Sequence, residues 1–189
     1  LTGMLLLGRP GTPTIDDPLA CAQQHGLAHE LLDPAQVRAR FTVFKPADDM
    51  VGLYEPAAGV LLAQSCLAVH LALAKRHGAT LRHGQPVRRW AADGAGVRVE
   101  TDDVAVLADR LVIAAGPWLG DLLADLALPL TTLRAVNIHV EPFAADWFEP
   151  TRCPVFGLDA PEGHYYGVPF LPGDGLKLGK DPSPDAACT

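Results

Sequence analysis

The stretch of this sequence best suited to chemistry runs from Asp109 to Leu123, where an apolar run gives way to Gly116, Pro117 and Trp118. Leu111 to Ala115 are unbroken apolar residues, which predicts a strand covered on both faces, as in the parallel sheet of an α/β layer. Gly116 ends the run. Pro117, with a fixed φ and no N–H to lose, opens a helix in which Trp118, Leu119, Leu122, Leu123 and Leu126 recur at helical spacing. A sharp turn at a residue lacking Cβ exposes backbone amides and lets a ligand approach the main chain, although an ordinary structural turn can use the same residues. The other reactive side chains are scattered. Cys21, Cys66, Cys153 and Cys188 form no Cys-x-x-Cys pair and are expected to be free thiols. His70 and His77 are too far apart to share one helical turn, and His83 lies beyond Gly78, so no metal centre is expected.

Composition narrows the function classes. The 189 residues are 49% hydrophobic and 20% charged, with a formal net charge of −7. That is the make-up of a globular chain with a real core, not of a disordered one. An acidic balance with no basic cluster among aromatics argues against nucleic acid as a partner. No apolar run approaches the ~20 residues of a membrane span, so a cytoplasmic setting is expected. The sequence starts at Leu1 inside an apolar run and stops at Ala186-Ala187-Cys188-Thr189, which reads as an internal fragment of something longer.

The elements that must position the turn follow in order. Leu1–Leu7 predicts a strand and Gly8-Arg9-Pro10-Gly11 a turn. Ile15–His25 predicts a helix starting near Asp16, Asp17 and Pro18 and stopped by Gly26. Leu27–Leu32 suits a short strand, and Asp33-Pro34 caps a short helix to Arg40. After a loop over 41–50, a strand at Val51–Tyr54, a helix carrying Leu62, Cys66, Val69, Leu73 and Ala74 on one face, and a strand at Ala79–His83 would make a βαβ crossover. Val87–Ala91, Gly96–Thr101 and Val104–Leu107, joined by turn residues, predict a three-stranded antiparallel meander. Beyond Pro129 the pattern becomes a long strand at Leu133–Glu141, a helical turn at Ala144–Phe148, and short strands at Cys153–Leu158, His164–Val168 and Gly175–Leu178, an antiparallel sheet.

Several of these pieces together resemble one family. Glu55-Pro56 to Gly59-Val60, the helix to Arg76-His77-Gly78-Ala79, Val87, and Ala108 through Trp118 are similar to the flavoprotein amine oxidases of the sarcosine oxidase group. Gly163-His164-Tyr165-Tyr166-Gly167-Val168-Pro169 and Gly175-Leu176-Lys177-Leu178-Gly179 resemble that group's segment facing the flavin. The resemblance implies an α/β plus antiparallel β fold: a partial, Rossmann-like FAD-binding domain at 47–128, and a mainly antiparallel substrate-domain sheet from 1–46 and 129–189. It also implies FAD as cofactor, oxidation of the C–N bond of an amine or N-methyl amino acid, and dioxygen as acceptor.

The same resemblance places Val87 against the adenine part of FAD through its main chain, and Ala114, Ala115, Gly116 and Trp118 in the turn beside the cofactor. Lys177 matches the lysine by the flavin, whose ammonium would stabilise superoxide as electrons leave the reduced ring; a surface lysine on a strand is the plain alternative. Tyr166 matches the tyrosine lining the substrate cavity, where its ring can pack on substrate and its hydroxyl can bond a polar group.

Departures bear on the expectation. No Gly-x-Gly-x-x-Gly occurs in the sequence, so the chain by itself is expected to bind FAD weakly and to be inactive alone. The arginine and lysine that clamp the substrate carboxylate in the family have no counterpart region, and the cysteine that anchors FAD in some members would fall beyond the end of this chain. Asp181 stands where sarcosine-oxidising members carry a histidine. A non-catalytic remnant or binding module and a flavin enzyme for 2-hydroxy acids are the alternative readings.

Overall fold

Residues 1–182 are described by a computed structural model, so Cys188 and its neighbours lie outside the described residues. The described chain divides into two compact units, one formed by Leu62–Thr132 and the other by Leu1–Leu61 together with residues 133–182. The chain passes between the units at 61 and 132, later along the sequence than the bounds of 46 and 128 expected from sequence.

The larger unit is built on a seven-stranded sheet. Its strands are β1 (Met4–Gly8), β2 (Glu30–Leu32), β3 (Val51–Glu55), β7 (Asn137–Val140), β8 (Val155–Ala160), β9 (Gly163–Leu171) and β10 (Gly175–Lys180). They lie in the order β2-β3-β1-β8-β9-β10-β7. Only β1 and β8 run parallel, and the other neighbours are antiparallel, so the mainly antiparallel sheet expected from sequence is present. Alternation decides which face is buried: Leu5 and Leu7 of β1 lose nearly all contact with solvent while Met4 and Leu6 keep some. Leu5 and Leu7 pack with Leu32, Val37, Phe41 and Met50, and Phe44, Tyr54 and Leu158 close the edges of this core.

Two helices cover that sheet locally for reasons visible in the chain. Helix α1 (Pro13–His25) has proline in its first turn and ends at Gly26 in the left-handed conformation. It begins at Pro13, ahead of the start expected near Asp16, because Thr12 serves as the extended N-cap residue and Pro18 is accommodated inside. Helix α2 (Pro34–Arg40) opens with a capping box in which Asp33 Oδ1 accepts from the Gln36 amide and Gln36 Oε1 accepts from the Asp33 amide, each at 2.8 Å.

The smaller unit holds α3 (Ala63–Arg76), the meander β4 (Val87–Asp93), β5 (Gly96–Thr101) and β6 (Ala105–Ala108), and a broken helical segment containing α4 (Leu119–Leu122). The meander follows the sequence expectation, in the order β4-β5-β6. Three expectations do not hold. Ala79–His83 is not a strand, and β3 pairs with β1 and β2 in the other unit's sheet, so there is no βαβ crossover. Leu111–Ala115 is not a strand either, because an apolar run becomes one only when another strand hydrogen-bonds to it, and no described strand does. The helix after Gly116 is not continuous: a 3-10 turn at Gly116–Trp118, the single turn of α4 and a second 3-10 turn at Ala124–Leu126 replace it. The strand expected over Leu133–Glu141 shortens to β7.

Candidate functional site

Within the smaller unit, the residues singled out around Gly116 surround one hollow of about 830 Å³. Val87, Ala114, Ala115, Gly116 and Trp118 all line it, together with Pro86, Arg88, Asp121 and Leu122. Val87 opens strand β4, while the other four predicted residues lie on the turn into α4, so a meander strand and a helical turn form its walls. The two are tied by Trp90, whose indole Nε1–H donates to the Leu122 carbonyl at 3.0 Å across 32 residues of chain.

The turn at Gly116 has the properties a close ligand needs. Its φ is +54°, a conformation that costs an L-residue roughly 1–2 kcal/mol, and no heavy atom lies within 4 Å of where a Cβ would stand. Ala114 and Ala115 keep that wall low, and Trp118, 68% exposed, offers a large apolar surface. The hollow falls within the ~300–1,000 Å³ of ordinary small-molecule sites. Its form suits part of a dinucleotide cofactor: open main chain for hydrogen bonding, an aromatic wall, and a volume that admits a flat ring. Val87, Ala114, Ala115, Gly116 and Trp118 are the residues this hollow offers to a ligand of that shape.

Sequence reasoning missed the rest of the lining. Arg88 is held at the surface by a two-pronged bond to Asp102, at 2.8 and 2.6 Å, and the same guanidinium holds the Asp102 carboxyl below the usual carboxylate range. Leu122, named in the helical repeat but not given to the site, and Asp121 lie four and three positions past Trp118, a spacing that could have found both. Arg88 and Trp90 were hidden because their partners are distant in sequence.

The other two candidates, Lys177 and Tyr166, lie in the larger unit. Lys177 on β10 is opposite Val168 of β9 and His139 of β7, and Gly179 is opposite Tyr166 and Asn137. Residues directly opposite on antiparallel strands share a face, as do residues two apart on one strand. Lys177, Tyr166, Asn137 and His139 therefore project from the same face of the sheet. Lys177 is half-buried, and among the described residues no carboxylate forms an ion pair with it. His139 Nδ1 lies 2.7 Å from the Asp174 carbonyl oxygen.

Farther along that face, His164 Nδ1 meets Asp159 Oδ1 at 2.8 Å. Partial burial acts to raise the Asp159 carboxyl, but bonds from the Thr14 hydroxyl and from His164 outweigh it and hold the group below its ordinary range. Cys153 is unrelated to either site; burial pushes its thiol up to about 12, which leaves it a structural residue. Cys21, Cys66 and Cys153 are all free, and among the described residues no helix is long and apolar enough to cross a membrane.

A mainly antiparallel sheet, a meander and a glycine turn beside an open hollow agree with the parts that the family resemblance implies for a flavin-dependent oxidoreductase. Residues 1–187 match the DAO family of FAD-dependent oxidoreductases, and the chain belongs to it. It is 38% identical over 178 residues to monomeric sarcosine oxidase of Streptomyces avermitilis, covering 93% of this chain and 46% of that protein. It is 30% identical over 179 residues to N-methyl-L-tryptophan oxidase of Yersinia pestis, covering 94% of this chain and 47% of that protein. In structure it is similar to the open form of NikD, an unusual amino acid oxidase essential for nikkomycin biosynthesis, with a TM-score of 0.75, 26% identity, and coverage of 96% of this chain and 49% of that one. The resemblance to the sarcosine oxidase group is borne out, and the chain spans about half the length of these relatives.

Proposed function

We propose that the protein carrying these residues oxidises the C–N bond of an amine or N-methyl amino acid by transfer of a hydride to FAD, with dioxygen as the final acceptor. The observation that carries this reading is the hollow around Gly116, which brings together all five residues that the family resemblance assigns to the cofactor. On this reading the smaller unit contributes to the FAD-binding domain and the larger one to the substrate domain. The names of the relatives at 38% and 30% identity, both oxidases of N-methyl amino acids, support the substrate class.

FAD, when bound, supplies the hydride acceptor. The protein's own residues supply position and charge. The main chain at Ala114–Gly116 and Val87 holds the cofactor, and Trp118 shields one side of it from water. Tyr166 meets the substrate. The Lys177 ammonium, fixed on a strand and free of a carboxylate among the described residues, stabilises negative charge that develops on dioxygen during reoxidation. Asp181, whose amide donates to the His164 carbonyl at 2.9 Å, stands where the family resemblance implies a histidine in sarcosine-oxidising members. The free thiols suit the cytoplasmic setting that forms part of this proposal.

The test is anaerobic mixing of the flavin-loaded protein with a panel of N-methyl and primary amino acids, simple amines and 2-hydroxy acids, followed by flavin absorbance. Bleaching by an amine is expected. Bleaching by 2-hydroxy acids alone, or by nothing in the panel, overturns the reading.

A further inference from the structure

Tyr166 is fixed at its far end by neighbours on two other strands. Its ring reaches from β9 across β10 at Gly179, where a Cβ would fall onto the ring and lie 2.6 Å from the hydroxyl oxygen. Only a glycine leaves the ring that path. Beyond Gly179 the hydroxyl donates to Asn137 Oδ1 of β7 at 2.8 Å, a contact between residues 29 positions apart. The phenol has a single proton, and that proton is engaged in the hydrogen bond to Asn137 Oδ1. What Tyr166 retains for a ligand is a ring face and an oxygen that can accept.

We propose that Asn137 is a positioning residue that sets the specificity of this site. By accepting the hydrogen bond of the Tyr166 hydroxyl it holds the ring across Gly179, on the face that also carries Lys177, and turns toward the substrate a surface that receives alkyl or N–H groups and has no proton free to donate to a carboxylate. The amine end of the substrate, not an acid group, therefore packs on Tyr166. This rests on the amine-oxidising reading above and adds to it the direction in which the substrate lies.

The experiment is a double-mutant cycle on the flavin-loaded protein, using Tyr166→Phe, Asn137→Ala and the two combined, with Asn137→Asp as the variant that keeps an acceptor. Because the hydroxyl and Asn137 act as one unit, either single change raises KM for the amine by about three- to tenfold, and the double change costs no more than either alone. Asn137→Asp restores the wild-type KM, and kcat changes less than KM in every variant. A loss in Tyr166→Phe far greater than in Asn137→Ala, confined to substrates with a carboxylate, shows that the hydroxyl donates to substrate and overturns the inference. Tyrosine bands in ultraviolet resonance Raman spectra report the pairing without turnover: wild type and Asn137→Ala must differ, and identical spectra overturn the inference whatever the kinetics. Clear spectral change in a protein whose flavin no amine reduces removes the substrate assignment instead.

Discussion

In the seven-stranded unit alternate residues of β1 disappear from solvent, whereas in the smaller unit only Val97 does so among the hydrophobic residues. Helix α3 shows the contrast well. It has an apolar stripe like that of α1, yet it buries no residue, and Leu67 and Val69, with Leu62 at its N-cap, are each more than half exposed. Val112, in the apolar run before Gly116, is 89% exposed. An amphipathic pattern therefore states what a segment is able to bury, and packing decides whether it does. The larger unit owns a core. The smaller one, in a chain that spans about half the length of its relatives, has a hollow and uncovered apolar side chains.

The largest expected effect lies in that core. Leu5→Ala should lower unfolding free energy by about 3 kcal/mol, within the roughly 2–5 kcal/mol span for such deletions, in a denaturant titration followed by circular dichroism. Next comes Gly116→Ala, which keeps the open space but not the backbone freedom. Strain of roughly 1–2 kcal/mol at the turn should weaken FAD binding about tenfold, measured by flavin fluorescence, with little change in the transition of the larger unit.

Acid should then separate the units further. Because the folded Asp159 carboxyl is held below its ordinary value, its ionisation stabilises the fold at pH above about 4 and that contribution is lost as pH falls through the lower folded value. Asp159→Asn should flatten the acid side of the melting curve below the ordinary carboxylate range, and an unchanged slope would remove Asp159 from the explanation. The smallest effect is expected for Leu67→Ala on α3, within about 0.5 kcal/mol, since the side chain is 59% exposed. A loss there as large as that of Leu5→Ala would erase the contrast between the units.

What could be read from sequence follows the range of the interactions concerned. The Asp33-Pro34 cap, the Gly26 stop and the meander turns depend on residues a few positions apart, and each appears as expected. The strand at Leu111–Ala115 and the crossover at Ala79–His83 depended on partners far along the chain, and local pattern could not show whether those partners pair. The same limit hid details of the sites. Gly116 and its alanines were legible as a turn open to a ligand, while the Trp90 bond to Leu122 and the Tyr166 bond to Asn137 span 32 and 29 residues and required coordinates. Lys177 entered through family resemblance, since a lysine on a short strand carries no local sign of its role.

The most direct test of the division of labour between the two regions is stopped-flow measurement of both half-reactions in Lys177→Met of the flavin-loaded protein. Flavin reoxidation by dioxygen should slow by at least about tenfold, as for loss of a preorganised charge, while anaerobic reduction by the amine stays within about twofold. Equal losses in the two half-reactions would contradict the role given to Lys177 and to the sheet face it shares with Tyr166.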